Sequence, residues 1–121
     1  KILKPTEPPR QTPQPVDRMS SQPQFTIGQI VHHKKFDYRG VIVDVDPEYT
    51  GSDEWYDTVA TSRPPKDAPW YTVLVHEAKH ATYVAERHLE PDQSGGQIDH
   101  PALGEFFDRF TNGRYYRSRT H

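Results

Sequence analysis

Two segments of this chain alternate large apolar side chains with a period of two. Residues 39–46 read RGVIVDVD, with valine at every second position. Residues 70–76 read WYTVLVH and repeat the pattern with Tyr71, Val73 and Val75. A period of two puts these side chains on one face of a β-strand, whereas a helix repeats every 3.6 residues. We therefore predict two strands whose valines face a common core, in a mainly β fold.

Two further segments have weaker strand patterns. Residues 25–33 are expected to form a first strand with Gly28 at its entry, and residues 82–86 a last one, because both are rich in β-branched or aromatic side chains. The turns between strands fall at residues 34–38 and 77–79. We expect five or six strands arranged as a small barrel.

A short segment near the C-terminus has the spacing of an amphipathic helix. Leu103, Phe106, Phe107 and Phe110 stand at positions i, i+3, i+4 and i+7, which places them on one helical face. We predict a helix over residues 101–110 that covers the open end of the barrel. A docking face for a partner is the alternative.

The segment at residues 47–68 is too long for an ordinary connection in a compact domain. It is rich in Pro, Asp, Ser and Thr, and it contains Trp55 and Tyr56. Two large aromatic side chains on a loop either anchor it to the barrel or form a contact surface for a partner. We expect an inserted loop in which Trp55 is ordered against the barrel.

Prolines and charges set the two ends of the chain apart. Residues 1–24 hold six of the 12 prolines and are expected to form a disordered Pro-rich tail. Met19 is the only methionine, which raises the alternative that residues 1–18 are not native sequence. The candidate domain is residues 25–111, and residues 112–121 form a basic C-terminal tail.

The charge of the candidate domain argues against DNA as a ligand. Residues 25–110 carry 8 Lys or Arg against 15 Asp or Glu. Affinity for nucleic acid depends largely on phosphates neutralised by cations, so the long-range field of this domain is unfavourable. The same balance favours a protein ligand.

Cations and aromatic side chains nevertheless interleave at the first turn, a pattern that suits nucleic acid or an acidic peptide, and a second basic cluster lies near the C-terminus. A solvated turn with one buried aromatic ring is the alternative. The candidate nucleic-acid contacts are Lys34, Lys35, Arg39, Arg114, Arg117 and Arg119. The candidate partner contacts are Phe36, Tyr38, Trp55 and Tyr56.

Residues 76–80, HEAKH, match the zinc-hydrolase motif HExxH. That motif needs a helix, so that both imidazoles reach one metal ion, whereas these residues join two predicted strands. A metallohydrolase using His76, Glu77 and His80 is therefore only an alternative. The chain has no cysteine, no G-x-S-x-G nucleophile motif and no glycine-rich phosphate loop. We predict no catalytic residues, no metal site, no cofactor and no enzymatic activity.

Several short motifs follow one another in a distinctive order. They are Ile27 with Gly28, Val43 to Pro47 (VDVDP), Trp70 with Tyr71, Tyr83 to Glu86 (YVAE), Leu89 to Asp92 (LEPD), and Ile98 with His100 and Pro101. Over residues 25 to about 111, this order resembles the heat shock protein HspQ family, also called YccV-like or hemimethylated-DNA-binding domains.

The resemblance implies a small SH3-like, partly open β-barrel without catalysis or cofactors. It also implies two activities, which stay open at this point: binding of DNA, hemimethylated duplex included, and a heat-shock adaptor role that modulates degradation by an ATP-dependent protease. The expected partners are DNA, and an ATP-dependent protease or its substrates, in the cytoplasm and without a membrane. A homo-oligomer is a further possibility, and a purely protein-binding adaptor is the alternative.

Overall fold

The structure is a computed structural model and describes residues 22–117. These residues form seven strands in two antiparallel sheets, with two short helices and one 3-10 turn at Glu86–His88. The strands are β1 (Ile30–His33), β2 (Arg39–Asp46), β3 (Trp70–Val75), β4 (Ala81–Ala85), β5 (Leu89–Pro91), β6 (Arg109–Thr111) and β7 (Arg114–Tyr116). The helices are α1 (Asp53–Val59) and α2 (Leu103–Phe106).

The larger sheet has the strand order β4-β3-β2-β1-β5, and β6 pairs with β7 in the smaller one. Among the residues described, β4 and β5 are the two ends of the larger sheet, so the sheet is not closed into a complete barrel. The predicted mainly β fold is confirmed. No helix between residues 22 and 117 is long and apolar enough to cross a membrane.

The first strand is shorter than the predicted span of residues 25–33. Gly28 has a φ of +93°, and the Gln29 amide donates to the Thr26 carbonyl at 3.1 Å, so a turn occupies the residues before β1. A Cβ on Gly28 would lie 2.1 Å from the Tyr115 carbonyl oxygen. Only glycine fits this close approach of two backbones.

Both faces of the larger sheet are covered, and the valines of β2 do not all face the same side. The register between β2 and β3 shifts between Ile42 and Asp44, which leaves Val43 as an extra residue in a β-bulge. Val41 and Val43 pack on one face, while Ile42 and Val45 pack on the other. The prediction of one common valine face is wrong, because a bulge reverses the alternation.

The sequence analysis expected residues 47–68 to be a loop throughout. In the structure they contain helix α1. The Ser52 hydroxyl accepts a hydrogen bond from the Trp55 amide at 3.0 Å, which caps the helix. Tyr56 is buried, and Trp55 packs edge-on against Trp70 with ring centroids 6.2 Å apart. The expectation that Trp55 is ordered against the sheet is confirmed.

The predicted helix over residues 101–110 is wrong in its length. Helix α2 covers only Leu103–Phe106, and the aromatic side chains still cover one face of the sheet. A two-residue turn, Asn112 and Gly113, has positive φ at both positions and joins β6 to β7. Asn-Gly strongly favours such a hairpin, which draws residues 109–111 into a strand.

Strand β7 lies within the segment that the sequence analysis assigns to the C-terminal tail. Tyr115 is buried, and its hydroxyl accepts a hydrogen bond from the Ile98 amide at 2.8 Å. Its amide donates to the Gly28 carbonyl at 2.9 Å. These bonds attach the smaller sheet to the entry of β1.

Candidate functional site

A cleft of about 400 Å³ opens on one side of the larger sheet. One wall is the β1–β2 turn, the opposite wall is the end of α1 with the residues that follow it, and β4 forms the floor. The aromatic and large apolar side chains that line it include Phe36, Tyr38, Trp55, Val59 and Tyr83, together with the imidazole of His88. The cleft therefore brings together three of the four predicted partner contacts, Phe36, Tyr38 and Trp55.

The fourth predicted partner contact, Tyr56, is not part of the cleft surface. Its side chain is only 5% exposed, and its hydroxyl donates to the Pro64 carbonyl at 2.6 Å. Tyr56 thus holds the chain after α1 against the sheet and supports the wall from beneath.

The β1–β2 turn is built around the buried imidazole of His33. Its Nδ1 accepts hydrogen bonds from the amides of Lys35 and Phe36 at 3.2 and 3.0 Å, and its ring stacks on those of Phe36 and Tyr38. Burial, with smaller contributions from His88, His32 and Lys35, lowers the pKa of His33 to about 4. The ring is neutral at pH 7, as an accepting Nδ1 requires.

The turn presents Phe36 to solvent and fixes Tyr38 in place. Phe36 is 67% exposed, whereas the Tyr38 hydroxyl lies 2.7 Å from the Thr82 hydroxyl on β4. On the opposite wall, Trp55 packs edge-on against Tyr83 with ring centroids 5.9 Å apart. The cleft has aromatic rings on both sides.

Three cations lie near His88, and we call Lys34, Lys35 and Arg87 the basic rim. Lys35 lines the cleft itself, whereas Lys34 and Arg87 line a neighbouring depression. The Lys34 amide donates to the His88 carbonyl at 2.9 Å, and Arg87 donates to the Ser62 carbonyl at 2.7 Å. Burial lowers the pKa of His88, and the charges of Arg87, Lys35 and Lys34 lower it further. The three cations are therefore close enough to His88 to act on it together.

Arg87 was missed by the sequence analysis because it is distant in sequence from the first turn. The signal that could have identified it is the antiparallel pairing of β5 with β1, in which Leu89 lies opposite His33. That pairing brings the 3-10 turn beside Lys34, but the three-residue strand β5 is too short to be recognised from its pattern.

Three of the remaining predicted cations, Arg39, Arg114 and Arg117, form hydrogen bonds within the fold, as Arg87 does with Ser62. Arg39 donates from Nε to the Asp92 carboxylate at 3.1 Å, and its guanidinium also bonds to the Gly96 carbonyl. Arg114 bonds to Thr26 and Ile27. Arg117 donates to the carbonyls of Glu105 and Phe106 at 3.0 and 3.1 Å. Arg119 lies outside the residues that the structure describes.

The two predicted basic clusters are not brought together. Arg114 bridges to Gln29 at the start of β1, while Lys34 follows its end. An extended strand rises about 3.3 Å per residue, so these positions are about 16 Å apart. The C-terminal cations lie at the other end of the strand from the basic rim.

The HExxH residues lie at the β3–β4 turn, as predicted, rather than on a helix. Glu77 has a φ of +61°, and the Nδ1 atom of His76 accepts from the Asp99 amide at 2.9 Å. The His80 carbonyl accepts from the His100 ring at 3.0 Å. Between residues 22 and 117, no three His, Cys, Asp or Glu side chains converge to hold a metal ion.

Comparison with known protein families agrees with this architecture. The family model described as hemimethylated DNA-binding protein YccV-like matches residues 23–114. These residues include all of the larger sheet, the cleft and the basic rim. The family is one of DNA-binding domains and is not a known enzyme family. Since the match spans most of the chain, the chain belongs to the YccV-like family.

Proposed function

We propose that this domain is a non-catalytic module that binds DNA, hemimethylated duplex included, through the basic rim and the cleft beside it. The observation that carries the proposal is the grouping of Lys34, Lys35 and Arg87 around His88, beside an aromatic cleft, in a member of a family described as hemimethylated DNA-binding. Phosphate contacts would come from the rim and base contacts from the cleft.

The availability of these cations supports the proposal. Among residues 22–117, no carboxylate forms an ion pair with Lys34, Lys35 or Arg87. By contrast, Arg39, Arg63 and Lys66 are each paired with an aspartate. The rim is thus a local source of unpaired positive charge in an acidic domain, and binding would depend on short-range contacts rather than on a long-range field.

Phe36 is the side chain best placed to read a methyl group. It is exposed and stands next to Lys35, whose ammonium nitrogen is 5.7 Å from the centre of the ring. A methyl group on a base edge is read by apolar contact, and burying one contributes roughly 0.8 kcal/mol, about fourfold in affinity. We expect hemimethylated duplex to bind more tightly than unmethylated duplex by about that factor.

The test is a titration of hemimethylated and unmethylated duplexes of one sequence, by fluorescence anisotropy at two salt concentrations. We expect the Lys34→Ala, Lys35→Ala variant to bind both duplexes more weakly, and the Phe36→Ala variant to lose the preference for the hemimethylated duplex. Lys79→Ala, in the β3–β4 turn, is the matched control and should bind like the unchanged protein. No binding to either duplex at low salt would overturn the proposal.

A second candidate is an adaptor that modulates degradation by an ATP-dependent protease. The observation that favours it is apolar exposure: Phe36 and Val59 are 67% and 54% exposed at the same cleft. Such side chains are typical of protein contacts. Both candidates are expected to act in the cytoplasm, and a homo-oligomer would multiply either contact surface.

The two candidates differ in what the protein retains from a native lysate. A pull-down probed for DNA and for subunits of ATP-dependent proteases, repeated with the Phe36→Ala, Val59→Ala variant, separates them. A protease retained by the unchanged protein and lost in the variant would favour the adaptor. DNA retained without a protease would favour the nucleic-acid module.

A further inference from the structure

The cleft has a larger volume and more aromatic side chains than contacts to a DNA backbone need. Its volume of about 400 Å³ lies within the range of roughly 300–1,000 Å³ that is typical of small-molecule sites. Phosphate contacts would be made by Lys35 at the edge of the cleft and by Lys34 and Arg87 outside it. The interior is therefore available to a flat group of the size of one heterocycle.

The walls are suited to stacking. On one side, the ring of Phe36 lies 4.8 Å from that of His33 at an angle of 25° and is otherwise exposed. On the other side, Trp55 is held by Tyr49, with ring centroids 6.1 Å apart. Base stacking on aromatic side chains contributes to affinity for every base, because every base has a π-face.

Polar groups that line the cleft offer partners for the edge of a base. The Ser62 hydroxyl lies 2.9 Å from Nε2 of His88, and the Thr82 hydroxyl lies 2.7 Å from that of Tyr38. Hydroxyl groups both donate and accept, so they can pair with a heterocycle edge. Such a small set of polar groups in an apolar site is what fixes the orientation of a ligand.

The charge beside the cleft identifies the class of ligand. Lys35 lines the cleft, and Lys34 and Arg87 lie in the neighbouring depression, close enough to act on His88. A free heterocycle or an aromatic peptide side chain carries no negative charge for these cations to neutralise. A nucleotide within a DNA strand carries phosphates on both sides of its sugar, and these would meet the rim when the base enters the cleft.

We infer that the cleft accepts a single nucleobase extruded from duplex DNA, held between Phe36 and Trp55 while the flanking phosphates contact the basic rim. The inference rests on the proposed function and deepens it. Extrusion breaks base pairing and stacking, so its cost is lowest where the base is already unpaired. The protein should therefore prefer a duplex in which one base has no partner.

The experiment compares three unmethylated DNA probes of one sequence: a fully paired duplex, the same duplex with an abasic position opposite one base, and the single strand. We expect the abasic duplex to bind about tenfold more tightly than the paired duplex, because the pairing cost is removed while stacking is retained. The single strand should bind less tightly than the abasic duplex, and tighter binding of the single strand would overturn the role of the duplex.

Two variants separate this inference from the function on which it rests. Phe36→Leu keeps an apolar side chain but removes the ring face, so we expect it to lose most of the preference for the abasic duplex and to keep the preference for hemimethylated duplex. Ile27→Ala, an exposed apolar residue outside the cleft, should keep both. Equal binding of paired and abasic duplexes would overturn the inference and leave the proposed function standing. No binding to any probe would overturn both.

Discussion

Two adjacent histidines on β1 have opposite environments. The ring nitrogens of His32 are each 2.7 Å from a carboxylate oxygen, of Asp37 and of Glu90. Carboxylates only accept hydrogen bonds, so both nitrogens must donate and the ring is an imidazolium. The hydrogen bonds that His32 donates to Asp37 and then to Glu90 raise its pKa, whereas burial lowers the pKa of His33 to about 4.

These shifts contribute to stability with opposite dependence on pH. The contribution of His32 is complete below its unfolded pKa of about 6.5 and is lost as the pH rises through its folded pKa. That of His33 is complete above about 6.5 and is lost as the pH falls toward 4. We expect NMR titration of the ring resonances to give a midpoint above 6.5 for His32 and near 4 for His33. Equal midpoints near 6.5 would contradict both environments.

The hydroxyl of Tyr71 is a buried junction of the fold. It accepts hydrogen bonds from the amides of Gln24 and Phe25 at 3.1 and 3.2 Å, and it donates to the Glu86 carboxylate at 2.5 Å. Tyr71→Phe should reduce the free energy of unfolding by about 1–3 kcal/mol, because buried partners lose their hydrogen bond. Tyr49→Phe, whose hydroxyl bond is exposed, should change it by less than about 0.5 kcal/mol. Urea denaturation measures both free energies of unfolding. Equal losses in the two variants would contradict a special contribution of the Tyr71 hydroxyl to stability.

At the residue scale, the sequence predicted site residues where they are adjacent in the chain. Lys34, Lys35 and Phe36 were recognised because a turn groups them directly. Arg87 lies near Lys34 and Lys35 only because β5 pairs with β1. Arg39 is not part of this group, because its position on β2 places its guanidinium beside the Asp92 carboxylate. Composition around a turn identifies candidates, but the pairing partner of each cation depends on tertiary contacts.

Among the elements, the β6–β7 hairpin depends on one glycine at the entry of β1. Gly28 accepts from the Tyr115 amide and donates to the Ile42 carbonyl, at 2.9 and 2.8 Å. Gly28→Ala should lower the free energy of unfolding by at least about 2 kcal/mol, because the added methyl group meets backbone and φ is positive. Faster hydrogen exchange at the Tyr115 amide should accompany the loss.

The matched control for that change is Gly104→Ala in α2. A Cβ at Gly104 would have no heavy atom within 4 Å, and alanine favours a helix over glycine by up to about 1 kcal/mol. We expect the control to be unchanged or slightly more stable. If both variants lost stability equally, the close approach at Gly28 would not be the cause.

The sequence predicted the elements well where a pattern is regular and less well where two signals compete. Strand β2 has the predicted bounds, Arg39–Asp46, because its alternation is strong. The bulge at Val43 could not be predicted, since any β-branched residue can occupy it. The helical spacing of residues 103–110 competes with the Asn-Gly turn that follows, and the turn determines the end of the helix.

For the whole molecule, an acidic domain and a basic rim have different consequences for binding. The negative charge of residues 25–110 weakens attraction at long range, while the rim acts within a Debye length of about 10 Å at 0.1 M salt. The net charge could be read from the sequence, but the location of the unpaired cations could not, because it depends on which carboxylates the fold brings to each arginine and lysine.

The salt dependence of DNA binding therefore distinguishes an interface at the rim from one that spans both ends of β1. Each neutralised phosphate contributes about −0.9 to the slope of log affinity against log salt concentration, so three rim cations give a slope near −3. Arg87→Ala should make the slope shallower by about one unit and weaken binding equally on all sequences. Arg117→Ala is the matched control, because that arginine also donates to backbone carbonyls but lies beyond β7. Its slope should stay near −3. A slope reduced equally in both variants would show that the C-terminal cations share the interface.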